Sequence, residues 1–419
     1  MRIGKSCWTA LVVLTAFSVY SADYRVLIAG KEKPVETGII GSGKYSEVAL
    51  LNPSVHRAAV KYEEFDMHMP AKNIDNRNTY DEDQAKLRLF FKPSIRAWGG
   101  GRSRVSLVGE GRWKLAKTED AALYSRSWKR NAYKVVTDVN ISMPDNRAEI
   151  IVEGVFTNNG RNDCVVEFAP QFWFIRDKAL TMMLPRQYSD FINGKQKNFS
   201  YGEKVELDNT KGRNYFWRKA AKDDHHGFID YVSRERIPFT NSHVDLIDVF
   251  GFVQLPGKNT LVWDLKNAAD TKTLQYLEAG WDDRTGDALA AWHIPLKRGE
   301  TKKVKFRLIT VKGLSRFDTL SDNMLVGYGV EKDRLKIEMA PLSSLGLSLL
   351  HGEVINARDK QVLIKQPAEL AEMNPFNPGR MEWRSTVKFE RSLLYPIKIS
   401  LHTKVGNNLL LQNKGVIVP

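Results

Sequence analysis

Between Lys302 and Leu308 the chain alternates without a break: Val304, Phe306 and Leu308 are apolar, and Lys303, Lys305 and Arg307 are cationic. A strand satisfies this pattern because successive side chains leave opposite faces of a sheet; a helix would scatter the same residues around its surface. Residues 147–156 repeat it, with Ala148, Ile150, Val152 and Phe156 on one face and Glu149 and Glu153 on the other. Residues 135–141, 260–265, 335–339, 387–389 and 397–401 are similar, and turn-forming runs stand between such stretches. Pro144-Asp145-Asn146, Asn158-Asn159-Gly160, Pro256-Gly257-Lys258-Asn259 and Arg298-Gly299-Glu300 are examples. Many short strands at this spacing predict an all-β protein of sandwich or barrel type. Residues 315–325 and 367–373 are long enough for only a turn or two of helix.

At 419 residues the chain exceeds one ordinary core, and its 42% hydrophobic content is enough to build two. Residues 23–325 are expected to form a large antiparallel β-sandwich. Residues 330–419, with six or seven strand signals, are expected to form a small immunoglobulin-like β-sandwich. The boundary is placed near Val326-Gly327-Tyr328-Gly329. The first 22 residues have the form of a cleaved signal peptide. Arg2 and Lys5 precede an apolar run from residue 8 to 19, and Ser21 and Ala22 are small residues suited to the cut. That run is shorter than the roughly 20 residues that span a bilayer, so a secreted or periplasmic protein without a transmembrane segment is expected. Past the signal only Cys164 remains, which excludes an intramolecular disulfide and reads as a buried, inert thiol.

The formal charge of +14 favours anionic partners, an acidic glycan among them. No basic helix, zinc finger or RNA-binding strand pair is present, so nucleic acid is not expected. Gly-x-Ser-x-Gly and His-Glu-x-x-His are both missing, which removes two common classes of secreted hydrolase.

The layout resembles the galactose-mutarotase-like supersandwich proteins. The likeness rests on the strands at 135–141 and 148–156, the following Thr157-Asn158-Asn159-Gly160, and Leu296-Lys297-Arg298-Gly299-Glu300-Thr301 leading into another strand. That group includes sugar mutarotases and domains of polysaccharide lyases and glycosidases, so the resemblance implies a polysaccharide or oligosaccharide ligand. The His pair and late Glu of the mutarotases find no matching context here, which puts binding ahead of epimerisation.

Four stretches carry candidate site residues. Asp223-Asp224-His225-His226-Gly227 gathers titratable groups, and with Tyr231 and His293 supplies candidate general bases. Neighbours on a strand face opposite ways, so His225 and His226 share a metal only in a turn, and neither a metal nor a cofactor is expected. Gly280-Trp281-Asp282-Asp283-Arg284 offers a flat ring, a carboxylate and a guanidinium to a sugar, although a plain hairpin explains the same spacing. Arg96-Ala97-Trp98, before three glycines, reads as a basic and aromatic lip. His68 lies in a polar stretch, residues 65–86, expected to be a long loop. Three functions follow: carbohydrate binding in a groove of the large sandwich, a lyase or mutarotase on that scaffold, or a non-catalytic role in assembling the cell envelope.

Overall fold

A computed structural model of the chain describes residues 22–29, 33–51, 66–69, 87–91, 96–98, 105–106, 108–168, 170–175, 180–183, 188–192, 195–199, 204–206, 215–218, 226–229, 236–239, 249–254, 259–264, 274–281, 285–321, 323–355, 361–386, 388–390 and 395–417. Among the described residues the regular structure is strand throughout, without a helix. The two short stretches that could have turned helical are extended: Thr319–Leu320, Met324–Glu331 and Val362–Leu370 are strands. Val326-Gly327-Tyr328-Gly329 lies inside the second of these rather than in a linker. His68 belongs to the strand Asp66–Met69 rather than to a loop.

Two large sheets face each other. One, of nine strands, contains a meander of Val108–Lys117, Ala122–Arg130, Tyr133–Ser142 and Glu149–Asn158, continued by Thr301–Lys312 and Asn259–Asp264. The hairpin after Arg130 turns on two residues, and Asn131 takes the left-handed conformation (φ 54°) that such tight turns require. The other sheet has twelve strands built about the long strand Thr285–Leu296. On one side that strand pairs with Leu274–Trp281; on the other it pairs with Pro170–Ile175 along its first half and Cys164–Phe168 along its second.

Aromatic rings join the two sheets. Phe168 and Trp292 of the twelve-stranded sheet meet Phe156 and Phe306 of the nine-stranded one, with ring centroids 4.9 Å apart for Phe156–Phe168 and 5.6 Å for Trp292–Phe306. Trp263 stacks on the far side of Phe306 at 5.8 Å. All five are buried, as are Val304, Leu308, Ile150 and Val152 beside them, so the alternation seen in the sequence marks this inner face.

The last part of the chain forms two four-stranded sheets. Their shared core, from Met324 to Leu411, includes Tyr328, Ile337, Val354, Trp383, Tyr395 and Ile399. Gly352 is required there, because a Cβ at that position would sit 2.0 Å from the Trp383 ring. This module is not isolated from the large sandwich. Val262, Ile309 and Val311 of the nine-stranded sheet share one buried cluster with Leu325, Ala340 and Leu342. Across the same junction the Ala148 N–H donates to Leu342 O (2.7 Å) and the Lys312 N–H to Pro375 O (2.9 Å).

Beside the junction, Arg307 bridges two buried carboxylates, Glu149 at 2.7 Å and Asp264 at 2.7 Å. Arg147 holds the other oxygen of Glu149 and also reaches Asn323, both at 2.6 Å. The neighbouring carboxylates push the Arg307 guanidinium further above its ordinary pKa, more than offsetting the opposing pull of burial. Removing it takes away a cation shared by two buried carboxylates and leaves Arg147 as the cation beside Glu149. Arg307→Ala is therefore expected to cost about 3–5 kcal/mol of unfolding free energy, and Arg307→Lys, which keeps the charge and loses the fork, a smaller amount. Denaturant titration checks both; a loss below about 1 kcal/mol for the alanine variant would show that the bridge is dispensable.

Candidate functional site

The twelve-stranded sheet has a second face, and strand register says what stands on it. Trp292, Ile294 and Leu296 are buried against the inter-sheet core, so His293 and the exposed Pro295 belong to the reverse face. Residues directly opposite one another in a ladder share a face. His293 is opposite Glu167, and Pro295 opposite Val165, which is in turn opposite Trp98. Val166 and Phe168, the buried alternates of this neighbouring strand, confirm the sense. Arg96 lies two residues from Trp98 and therefore on the same face. Arg96, Trp98, Glu167 and His293 thus gather on three adjacent strands.

The other half of the long strand extends this face. Asp287 is opposite Trp173, Trp173 opposite Arg88, and Arg88 opposite His68. Two residues further along, Leu289 is opposite both Gln171 and Glu278. The alternate row, through Leu50 and Ile39, is buried, which agrees with the assignment. By register the face therefore carries Arg, His, Asp, Glu and Trp on the side of the sheet opposite Trp292. Its extent follows from strand geometry. The rows of Asp287 and His293 are six residues apart, about 20 Å at ~3.4 Å per residue. His68 and His293 share the face but are too distant to act on one proton.

The sequence candidates divide accordingly. Arg96, Trp98 and His293 come together, and His68 joins the opposite end of their face. Trp281 is opposite Gly286, which places it on the same side of the sheet as Trp292 and away from these residues. The hairpin that the Gly280–Gly286 spacing allowed is formed, but Trp292 is opposite Leu274, so the two tryptophans are not cross-strand partners. His226 begins the strand His226–Ile229, which pairs with Arg236–Phe239 in a separate two-stranded sheet. His225, Tyr231, Asp282 and Arg284 lie outside the described residues. Among the described residues no group of three or more His, Cys, Asp or Glu could hold a metal ion. Glu167, Trp173 and Arg88 were missed by motif reading. Asp287 alone stands out in the sequence, as the one carboxylate of the strand Thr285–Leu296.

No family model matches the sequence, and no curated protein sequence matches it. Among solved structures, a galactose mutarotase-like protein from Lactobacillus casei is 11% identical over 65% of this chain and 99% of that one, with a TM-score of 0.38. A galactose mutarotase-like protein from Clostridium acetobutylicum is 8% identical over 70% and 99%, at 0.40. An alpha-galactosidase from Lactobacillus brevis is 10% identical over 65% of this chain and 39% of that one, at 0.35. The resemblance is a weak one of architecture.

Cys164 provides a reference for testing the face assignment. It is buried on the core side, and burial, followed by the charge of Asp163, pushes its thiol up to about 11. At pH 8 so little thiolate remains that Cys164 should react more than about 100-fold slower than an exposed thiol of ordinary pKa near 8.5. In a chain with Cys7 replaced by Ser, Val165→Cys is expected to react with a thiol reagent in the folded state. Val166→Cys, like Cys164, should do so only on unfolding. Equal rates at the two positions would overturn the assignment.

Proposed function

We propose that the reverse face of the twelve-stranded sheet binds carbohydrate, with the cluster of Arg96, Trp98, Glu167 and His293 as its principal contact. The observation that carries this reading is the composition of a sheet face by register: an aromatic residue beside a guanidinium, a carboxylate and an imidazole on three adjacent strands. A Trp ring gives the C–H side of a sugar an apolar surface, and Arg and Glu make directional hydrogen bonds to hydroxyls. Arg88, Trp173 and Asp287, on three successive strands, repeat the combination about 20 Å away, which suits a chain of several sugar units better than a single one. The basic charge of the whole chain favours an acidic polysaccharide within that class. Arg2, Lys5 and the apolar run that follows support export to the periplasm or beyond.

A second reading follows from one pairing. His293 lies directly opposite Glu167, as a general base and the carboxylate that orients it would, with Arg96 on the same face. On a uronate-containing chain, His293 could take the C5 proton α to the carboxyl group while Arg96 stabilised the resulting anion; the C4–O bond would then break, its oxygen taking a proton from water, and leave a C4=C5 unsaturated end.

Retardation in native gels containing neutral or acidic polysaccharides separates these outcomes. Trp98→Ala and Arg96→Ala are each expected to weaken binding at least tenfold, about 1.4 kcal/mol. Trp281→Ala should leave it unchanged. If Trp281→Ala abolishes binding while Trp98→Ala does not, the face is wrongly chosen. Ultraviolet absorbance growing during incubation with an acidic polysaccharide, and lost in His293→Ala, would establish the lyase instead.

A further inference from the structure

We propose that His351 and His402 form an exchangeable site for a divalent transition-metal ion, zinc being the simplest probe, on the outward face of the C-terminal module. The site is independent of the carbohydrate-binding face. His351 is in the strand Ser348–Ile355 and His402 in its neighbour Tyr395–Thr403. His402 is opposite Leu349 and His351 is opposite Ser400, so the two histidines are diagonal neighbours across the ladder. Leu350 and Val354 on one strand, and Ile399 and Leu401 on the other, are buried in the module core, which leaves the histidines on the solvent side.

The rings already stand at a chelating separation. Their centroids are 5.4 Å apart and their planes nearly perpendicular, at 87°. With Zn–N bonds of about 2.0–2.1 Å, two imidazoles on one tetrahedral ion have ring centres roughly 5 Å apart. The strands therefore already hold the two rings at the separation an ion would require, and side-chain torsion sets where the nitrogens point.

The surroundings of His402 favour the ligating form. Its Nδ1 is 3.4 Å from Asn407 O and its Nε2 is 3.1 Å from Ser400 Oγ. When Nδ1–H donates to the carbonyl, Nε2 carries the lone pair, here accepting from the Ser400 hydroxyl. A backbone carbonyl on the non-ligating nitrogen is the usual means of orienting a metal-binding histidine. The carbonyl is held in place by a tight turn. Gly406 and Asn407 adopt positive φ (82° and 50°), the Thr403 N–H donates to Asn408 O at 2.9 Å, and the Asn408 N–H donates to Thr403 Oγ1 at 3.0 Å.

Two imidazoles complete only half of a tetrahedral shell. No third His, Cys, Asp or Glu joins them among the described residues, so water or an incoming ligand would take the other positions. That makes the site exchangeable and not a structural one on which folding depends. Both side chains lie outside the core, and their replacement should leave the module folded.

Zinc titration of the full chain, followed through the histidine ring signals by NMR, tests the proposal. The signals of His351 and His402, identified by their loss in His351→Gln and His402→Gln, are expected to move together and saturate at one equivalent. Either substitution should lower the affinity of that step at least tenfold, since each removes half of the chelate. The proposal is overturned if neither signal responds to zinc, or if a single substitution leaves the affinity of the step unchanged.

Discussion

The ring stack between the two large sheets sets the orientation of everything built on them. Phe156, Phe168, Trp292, Phe306 and Trp263 form a continuous series of contacts, and Trp292 is the member that belongs to the long central strand. Each large aromatic buries on the order of 200 Å², about 5 kcal/mol at 25 cal/mol per Å². The indole N–H of Trp292 has no acceptor among the described residues, at a cost of about 1–3 kcal/mol. Burial outweighs that loss. With Trp292 committed to the interior, the parity of its strand is settled: even positions go in and odd positions go out. A slip of one residue would carry His293 and Asp287 into the core and expel Trp292.

A different balance governs the junction with the C-terminal module. There the outer side of the nine-stranded sheet carries an apolar patch, Val262, Ile309 and Val311, next to the paired charges of Arg307, Glu149 and Asp264. The apolar patch supplies the gain in burial, while the charged bridge offers at best a modest net contribution once desolvation is counted. Its three charges all stand on strands of the nine-stranded sheet and pair with one another, and the network reaches toward the module through Arg147, which donates to Asn323. The sheet thus uses both faces structurally, one against its companion sheet and one end of the other against the module. The twelve-stranded sheet packs its inner face against the core and carries Arg96, Glu167 and His293 on its reverse face.

This difference explains what the sequence makes legible. Strands such as Thr301–Lys312 alternate clearly, because one face is in the core and much of the other is charged, and the all-β architecture follows from them. Thr285–Leu296 does not alternate clearly. Ala288, Leu289, Ala290 and Ala291 precede Trp292, so apolar residues stand on both faces and the two informative side chains, Asp287 and His293, are lost in the run. Register is a property of pairs of strands, and the partners here are more than a hundred residues away: Glu167 opposite His293, Trp173 opposite Asp287. Trp281 shows the converse. Its glycine-rich, charged neighbourhood advertises a site, yet its place opposite Gly286 puts it on the other side of the sheet. Local composition points to residue types, and long-range pairing decides which of them stand on one face.

Both proposed sites sit on sheet faces, not on loops, and that has a physical consequence. Cross-strand neighbours are held at about 4.5–5.5 Å between Cβ atoms by backbone hydrogen bonds on both sides, so the spacing of Glu167 and His293, or of the strands bearing His351 and His402, is fixed before any ligand arrives. Little ordering entropy is then left to be lost on binding. The same rigidity limits what each site can recognise. A sheet face with groups at fixed intervals suits an extended polymer, whose repeating units meet one row after another, and serves a small, compact ligand less well. A pair of imidazoles with no third residue suits an ion that comes and goes, and cannot supply the closed shell of a structural metal.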